Sequence, residues 1–393
     1  MWNHVEAVAR RIFRAYNYRE IRTPIFEETA LFARGVGEET DIVSKEMYTF
    51  DDHGTSLTLR PENTASVIRS WIEHRMDQNP GVQKLYYIGP MFRRERPQKG
   101  RFRQFYQIGA EAIGSESPAT DVEVIEMVTE ILRGVGLDDF QLLINSVGCK
   151  QCRPVFIAAL RERLKDVAST MCADCQRRAE TNPLRVLDCK VPADQPIIDS
   201  LPSILDSLDE GCKSHFEAVQ RYLNDREIAF EVRPRLVRGL DYYMRTTFEI
   251  VHGSLGAQNS VLGGGRYDGL AEDLGSKVPG PGIGFSIGED RLVMSVEEKH
   301  GQTDPVELLI APMGEAALRH AGQLARKIRA KGAVVEIAPE GKLKKSLELA
   351  NKIGAEHTLL LGDNEIASGA YALKNMKSGE QITVSHDDLL NRF

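Results

Sequence analysis

The stretch from Leu85 to Gly114 places a run of arginines and lysines between two apolar flanks, and this pattern constrains the fold strongly. The flanks at 85–88 and 102–108 are rich in aromatic and aliphatic residues, which predicts two strands joined as an antiparallel hairpin. A solvated, charge-studded hairpin tip is the plain alternative. Against it, Arg93 lies beside a strand and Glu95 sits between arginines, an arrangement of guanidinium groups that suits phosphate and carboxylate. The basic residues of this stretch are Arg93, Arg94, Arg96, Lys99, Arg101 and Arg103.

Composition sets wider limits on the class of protein. The chain has 393 residues, of which 42% are hydrophobic and 27% charged, as expected for a globular protein of two or three domains. No apolar run approaches membrane-spanning length and the first helix lacks a signal-peptide core, so we expect a cytoplasmic chain without a membrane partner. A net charge of −7 disfavours indiscriminate coating of nucleic acid, although local basic surfaces remain compatible with RNA.

The patterning along the chain predicts an interrupted domain followed by a second one. Helical periodicity dominates the middle, extended patterning resumes after it, and near the end strands alternate with helices. We therefore predict a helical insertion inside an α+β domain, and a small α/β domain with a largely parallel sheet at the end. The predicted segments are 1–148 and 230–303 for the two parts of the first domain, 149–229 for the insertion, and 304–393 for the last domain.

The cysteines predict a metal site. Six cysteines in a cytoplasmic chain disfavour a disulfide framework. Two CxxC motifs, one at Cys149 and Cys152 and one at Cys172 and Cys175, have the spacing typical of a four-thiolate structural zinc site. We predict that one Zn²⁺ pins the insertion, and reduced thiols without a ligand are the alternative. The two remaining thiols are expected to be ordinary packed ones, Cys189 and Cys212.

Five segments of the chain together carry a family resemblance that covers nearly its whole length. REIRTPIFEE at 19–28, FRRERPQKGRFRQFYQIGAE at 92–111 and GIGFSIGEDRL at 282–292 resemble, in order, the three motifs of class II aminoacyl-tRNA synthetases. LVRGLDYY at 236–243 and LGGGRYDGL at 262–270 resemble two signatures of the histidyl-tRNA synthetase family, and these are far more specific. The glycine-rich segments fit neither a P-loop nor a dinucleotide fingerprint.

The resemblance implies a fold and a reaction. It implies a class II catalytic domain, with an antiparallel sheet flanked by helices, a helical insertion and a C-terminal α/β anticodon-binding domain. It also implies a homodimer, with the segment around Pro24 at the interface. The implied reaction joins L-histidine to ATP, with Mg²⁺ as the phosphate counterion, and releases pyrophosphate. Histidine then passes from the adenylate to the 3' end of tRNA(His).

Resemblance also assigns the phosphate-binding residues. Arg93 would contact the α-phosphate and the histidine carboxylate, Arg238 would reach the α-phosphate from another side, and Arg291 with Arg101 would hold the outer phosphates. The attack of the histidine carboxylate on the α-phosphate requires that the anions be held in position and that the spreading negative charge be stabilised. Fixed cations do both. The alternative for Arg238 is a buried ion pair with Asp241. The implied catalytic residues are Arg93, Arg238 and Arg291, and the implied ATP-binding residues are Arg93, Glu95, Arg101, Phe105 and Arg291.

Histidine selection is assigned in the same way. Glu62, Thr64 and Gln107 would surround the α-amino group, while Glu111 and Tyr243 would meet the two imidazole nitrogens, because a carboxylate accepts from one and a hydroxyl pairs with the other. Taken alone, Glu111 would be an ordinary sheet carboxylate. The implied histidine-binding set is Glu62, Thr64, Gln107, Glu111, Arg238, Tyr242, Tyr243 and Gly265, and the implied tRNA acceptor contacts are Arg96 and Gln98.

The chain departs from the family pattern in two places. Members usually begin with an extended arm before the first helix, whereas here that helix starts at once, so we expect a truncated start. Ser286, Glu289 and Asp290 stand where alanine, an apolar residue and glutamate are more usual.

Two other hypotheses follow: a non-catalytic regulatory paralogue that serves ATP phosphoribosyltransferase, and an RNA-binding module derived from a synthetase. The retained arginines and the C-terminal domain count against the paralogue.

Overall fold

A computed structural model describes most of the chain, and its residues form two compact units, Met1–His300 and Gly301–Phe393. The structure describes residues 1–38, 40–95, 100–253, 260–297 and 306–393. The predicted acceptor contacts Arg96 and Gln98 lie outside these ranges. None of the described helices is long and apolar enough to cross a membrane.

Two sheets form the centre of the first unit. Its strands are β1 (Arg19–Glu20), β2 (Phe26–Glu28), β3 (Tyr48–Asp52), β4 (Thr55–Leu59), β5 (Gln83–Phe92), β6 (Gln104–Ile113), β7 (Phe140–Ser146), β8 (Glu231–Val232), β9 (Met244–His252), β10 (Ser260–Arg266) and β11 (Gly282–Gly288). The large sheet has the order β1-β5-β6-β11-β10-β9-β7-β8, and a small one has the order β2-β4-β3. The large sheet is antiparallel except where β1 pairs with β5 and β7 with β8. The predicted α+β fold is confirmed.

The basic hairpin is present as predicted. β5 and β6 pair antiparallel over ten residues each, from Gln83 opposite Ile113 to Phe92 opposite Gln104. β6 also pairs with β11, which places the hairpin near the middle of the sheet. The arginines at the end of this hairpin are therefore supported by a rigid sheet.

Helices cover the large sheet. Those of the first unit are α1 (Trp2–Ala15), α2 (Thr29–Val36), α3 (Thr64–Glu73), α4 (Pro118–Gly134), α5 (Cys152–Val167), α6 (Ala173–Thr181), α7 (Gln195–Asp199), α8 (Glu210–Asp225), α9 (Leu270–Asp273) and α10 (Glu289–Glu297). α1 buries Val5, Val8, Ala9 and Phe13, a helical spacing that forms one apolar face, and Phe13 stacks on Tyr86 of β5 with ring centroids 4.4 Å apart. α4 and α8 complete this main core.

The inserted segment has a small core of its own. Phe156, Leu160 and Leu164 of α5 pack against apolar residues from α6, from short 3₁₀ turns and from Ile198 of α7. By contrast, α8 contributes Phe216, Val219 and Leu223 to the main core. The separate core therefore belongs to the residues between the beginning of α5 and the beginning of α8.

The second unit is a five-stranded sheet with helices. Its elements are β12 (Leu308–Pro312), α11 (Glu315–Arg329), β13 (Val335–Ile337), α12 (Leu343–Lys352), β14 (His357–Leu361), α13 (Asp363–Ser368), β15 (Ala370–Asn375), β16 (Gln381–Ser385) and α14 (His386–Arg392). The order is β13-β12-β14-β15-β16; β12 runs parallel to both neighbours, whereas β14, β15 and β16 pair antiparallel. The prediction of a largely parallel sheet is wrong, because β15 and β16 form a hairpin turned at Asn375 and Gly379, whose φ is 74°.

Candidate active site

A cleft of about 790 Å³ in the first unit brings together most of the predicted site residues. β5, β6, β9, β10 and β11 contribute to its lining, and the segment 236–243 lines one side. The predicted residues that line it are Glu62, Thr64, Arg93, Glu95, Arg101, Phe105, Gln107, Arg238, Tyr242, Tyr243 and Arg291. Glu111 and Gly265 are buried next to these residues rather than among the lining.

The hairpin arginines are fixed by specific contacts. Arg93 donates from Nε to the Pro61 carbonyl at 2.9 Å, and its guanidinium lies 5.3 Å from the centre of the Phe105 ring. Glu95 lies between two arginines, with its carboxylate 2.9 Å from Arg101 Nη1 and 3.9 Å from Arg93 Nη1. One carboxylate thus holds two guanidinium groups on the same side of the cleft.

Arg291 extends this cluster of cations. It lies in the first turn of α10, where its Nε donates to the Gly100 carbonyl at 3.0 Å and its Nη1 donates to the Ser260 carbonyl at 2.9 Å. Burial, followed by the positive charge of Arg101, lowers the pKa of Arg291. A site in which cations crowd one another favours a bound anion, which relieves their repulsion.

Arg238 approaches the cleft from the other side. Its Nη1 is 3.6 Å from Oε1 of Glu249, and its buried Nε has no hydrogen-bond partner among the described residues. Gly263 of β10 makes room for it, because a Cβ at that position would lie 1.9 Å from Arg238 Nη2. A partly paired guanidinium in a cleft has donors to offer to an anionic ligand.

A buried network of carboxylates stands at the beginning of α3. Glu62 accepts from the backbone N–H groups of Thr64 at 2.7 Å and Ala65 at 3.0 Å. Thr64 donates its hydroxyl to Glu111 Oε1 at 2.8 Å, and Tyr267 donates to Glu111 Oε2 at 2.7 Å. Burial raises the pKa of Glu111 to about 8 and also raises that of Glu62. The sequence prediction missed Tyr267, although it lies inside the quoted segment LGGGRYDGL.

Aromatic rings form the wall beside this network. The rings of Tyr242 and Tyr243 have centroids 4.8 Å apart, and Tyr242 meets Tyr267 edge to face at 6.0 Å. Gln107 Oε1 is buried without a hydrogen-bond partner among the described residues. An unpaired acceptor beside buried carboxylates and hydroxyls suits a small ligand that carries N–H donors.

The cysteines do not form the predicted four-thiolate site. Cys149 and Cys152 lie with Asp209 and Cys212, and Cys172 and Cys175 lie with Cys189 and Asp194, as two separate groups. The prediction that the two CxxC motifs share one ion is therefore corrected. Cys189 and Cys212, which we expected to be ordinary packed thiols, are buried, and each lies beside one of the two CxxC pairs.

Comparison with known proteins identifies the class and then the family. A family model described as histidyl-tRNA synthetase matches residues 2–292, and one described as an anticodon binding domain matches residues 307–393. The arginine-lined cleft and the second unit thus define an aminoacyl-tRNA synthetase with an anticodon-binding domain. A relative from Solibacter usitatus (strain Ellin6076), named histidine–tRNA ligase, is 72% identical and aligns with 100% of this chain and 95% of its own. The chain belongs to the histidyl-tRNA synthetase family.

Further matches agree with this assignment. A histidine–tRNA ligase from Koribacter versatilis (strain Ellin345) is 56% identical and is matched over 99% of this chain and 91% of its own length. The crystal structure of apo S. aureus histidyl-tRNA synthetase superposes with a TM-score of 0.80 at 39% identity, over 100% of this chain and 95% of that one. The class II fold predicted from the motifs is confirmed.

Proposed function

We infer that this chain is a histidine–tRNA ligase, which activates L-histidine with ATP, releases pyrophosphate and transfers histidine to the 3' end of tRNA(His). The observation that carries this inference is the convergence of Arg93, Arg238 and Arg291 on one cleft that borders the Glu111 network. These arginines come from three separate segments of the chain. A non-catalytic paralogue has no need of three such cations around one cleft.

In the first step a carboxylate oxygen of histidine attacks the α-phosphorus of ATP. The bond between that phosphorus and the oxygen that bridges the α- and β-phosphates breaks, and pyrophosphate leaves. The histidine carboxylate is already ionised, so the step needs charge stabilisation rather than a general base. Arg93 and Arg238 are proposed to flank the α-phosphate from opposite sides. Arg291 and Arg101 are proposed to hold the departing pyrophosphate.

Two other groups serve ATP in this proposal. The Arg93 guanidinium lies over the ring of Phe105, and this ring is proposed to offer an aromatic face to the nucleotide. Glu95, Glu249 and Asp290 also line the cleft, and carboxylate oxygens are the donors that Mg²⁺ prefers. Mg²⁺ bound with ATP would supply positive charge to the outer phosphates.

Histidine selection is proposed to rest on the buried network. Each Glu111 oxygen accepts one hydrogen bond and retains a lone pair for an imidazole N–H, and Tyr243 is proposed to meet the other ring nitrogen. Gly265 permits this packing, because a Cβ there would lie 2.8 Å from Tyr243 Cδ1. Glu62, Thr64 and Gln107 are proposed to receive the α-amino group. A pocket of paired polar groups rejects amino acids that lack them by roughly 10⁴-fold or more.

The remaining partners are proposals as well. Arg96 and Gln98 are proposed to meet the tRNA acceptor end, and the cytoplasm is proposed as the compartment. A homodimer is proposed through the small sheet, where Ile25, Phe26 and Phe50 are about half exposed, at 45%, 51% and 45%. The rings of Phe26 and Phe50 meet edge to face with their centroids 6.4 Å apart, so they form one apolar patch.

Exchange of labelled pyrophosphate into ATP tests the assignment. We expect exchange with histidine and with no other proteinogenic amino acid. Arg238→Ala should lower the rate by roughly 10²–10³-fold, as the loss of a fixed charge donor does. Arg161→Ala, which removes an exposed arginine of α5, is the matched control and should leave exchange unchanged. A folded chain that exchanges no pyrophosphate with histidine would refute the proposal.

A further inference from the structure

All six cysteines of the chain are unpaired, and they fall into two groups that each include one aspartate. Within each group the candidate ligand atoms lie within 4.8 Å of one another. We propose that each group binds one Zn²⁺. The inserted segment would then carry two structural sites, each with three thiolate ligands and one carboxylate ligand. Site 1 is Cys149, Cys152, Asp209 and Cys212, and site 2 is Cys172, Cys175, Cys189 and Asp194.

The ligand atoms lie near the separations expected for tetrahedral zinc, with the sulfur–oxygen distances of site 1 somewhat shorter. Zn–S bonds of about 2.3 Å and Zn–O bonds of about 2.0–2.2 Å place tetrahedral ligands about 3.8 Å apart for two sulfurs and about 3.5 Å for sulfur and oxygen. In site 1 the Sγ atoms of Cys149 and Cys152 are 3.5 Å apart, and Asp209 Oδ2 is 3.0 Å from each. In site 2 Cys189 Sγ is 3.9 Å from Cys172 Sγ and 3.4 Å from Asp194 Oδ2.

The aspartates distinguish these groups from packed thiols. Asp194 is only 2% exposed and forms no ion pair with any Lys, Arg or His that the structure describes, whereas Asp209 is exposed. A carboxylate enclosed among thiols without a cation is unfavourable. A divalent ion at the centre of site 2 would supply the missing charge beside Asp194, and site 1 offers the same donor set, because Zn²⁺ binds thiolate and carboxylate together.

Backbone N–H groups donate hydrogen bonds to the proposed ligand residues of both sites, as commonly happens around metal ligands in proteins. Asp209 N–H donates to Cys152 Sγ at 3.1 Å, and Val191 N–H donates to Cys189 Sγ at 3.4 Å. Each aspartate is held as well: Cys212 N–H reaches Asp209 Oδ1 at 2.7 Å, and Cys172 N–H reaches both oxygens of Asp194 at 3.2 Å. Such contacts orient the side chains that would bind the metal.

The position of the sites explains why an inserted segment of this size would need them. Site 1 joins the beginning of α5 to the beginning of α8, so it closes the segment at its two ends. Site 2 joins the beginning of α6 to the turn at 189–194. A core as small as that around Phe156 gives limited stability, and a bound metal adds folding free energy. Cys189 also lines the active cleft, so site 2 would fix part of its wall.

Metal content of the purified full-length chain tests the proposal independently of activity. We expect two zinc ions per chain by elemental analysis. Cys212→Ser and Cys189→Ser should each remove one ion, and the double variant should remove both. If instead one ion were shared by the two CxxC motifs, the chain would hold one zinc and neither single variant would lose it. Six titratable thiols with no metal, or any disulfide in the native chain, would also overturn the proposal.

A second measurement needs no variant. The chain is stripped with a chelator under reducing conditions and titrated with Co²⁺. Tetrahedral thiolate coordination should produce sulfur-to-cobalt charge-transfer bands and strong visible bands that saturate at two equivalents, with zinc bleaching them. Saturation at one equivalent, or weak bands typical of octahedral oxygen ligands, would contradict two sites of this type. Because the readout is spectroscopic, its failure would leave the proposed histidine–tRNA ligase activity unaffected.

Discussion

Gly263 sets the position of Arg238, because a side chain at this point of β10 would occupy the space of the guanidinium. A Cβ there would lie 1.9 Å from Nη2 and 2.2 Å from Cζ of Arg238. The far end of a long side chain can move aside, so Gly263→Ala should fold while displacing the charge. We expect kcat for histidine-dependent pyrophosphate exchange to fall roughly 10²-fold, with a smaller change in KM. Gly322→Ala, where nothing lies within 4 Å, is the control; equal rates for both variants would contradict this role.

Glu289 is a buried carboxyl without a hydrogen-bond partner among the described residues. Burial, with Glu6 and Asp290 nearby, raises its pKa to about 8. Between about pH 4.5 and 8 the folded chain keeps this proton and the unfolded chain does not, so this carboxyl makes stability fall as pH rises. Glu289→Gln should therefore raise the free energy of unfolding by roughly 2–4 kcal/mol at pH 8 and little at pH 5.

Urea unfolding at the two pH values measures this difference. Glu272→Gln, which changes an exposed glutamate, serves as the control and should behave as the parent chain does at both pH values. An equal gain at pH 5 and pH 8 would mean that packing, rather than the proton, decides the cost.

Site residues that lie in recognisable short motifs could be picked out from the sequence. Residues that join a site only through contacts between distant parts of the chain could not. Arg93, Arg238 and Arg291 lie in recognisable segments, and the structure brings them to one cleft. Cys189 and Cys212 belong to no CxxC motif, so spacing gave no reason to pair them with Cys149 or Cys172. Site 1 joins residues about 60 positions apart, such as Cys149 and Asp209, whereas Cys189 of site 2 lies 17 positions from Cys172.

α4, α8 and β10 are joined by three buried charged or polar groups. Asp121 of α4 lies 3.0 Å from Arg266 Nη1 and 2.8 Å from His215 Nε2, and Asp121 and Arg266 are fully buried. Removing Asp121 breaks this buried pair and leaves Arg266 with Asp268 as its remaining charged partner. Asp121→Asn should therefore lower the free energy of unfolding by roughly 3–5 kcal/mol. Asp166→Asn, at an exposed pair, should cost less than about 1 kcal/mol, and similar urea midpoints for the two variants would contradict this account.

Elements with a strong local pattern were predictable. α1 and the β5–β6 hairpin carry clear apolar periodicity, and the structure confirms both. β15 and β16 were missed because β16 is mostly exposed, so its residues lack the apolar alternation of a buried strand. Its pairing depends instead on the turn at Asn375, whose side-chain oxygen accepts from the backbone of Lys377 and Ser378. Turn chemistry of this kind gives a weaker signal than hydrophobic periodicity.

The whole molecule has an acidic net charge of −7, yet several of its arginines line one cleft. Composition could therefore exclude indiscriminate nucleic-acid binding but could not locate the cleft. The same holds for assembly: the segment around Pro24 suggested an interface, and the structure adds that Phe26 and Phe50 form an exposed pair in the small sheet. Exposed aromatic pairs of this type are typical centres of binding energy between subunits.

Phe26→Glu should consequently weaken the proposed homodimer. A charge in the centre of a desolvated aromatic patch loses the burial of the ring and must itself be desolvated, which costs about 2 kcal/mol or more and raises the dimer dissociation constant roughly 30-fold or more. Val155→Glu is the matched control, because Val155 is 61% exposed on α5, away from this patch. Sedimentation velocity across a concentration series should show a dimer for the parent and the control, and a shift toward monomer for Phe26→Glu. A dimer of unchanged affinity in Phe26→Glu would place the interface elsewhere on the first unit or on the second.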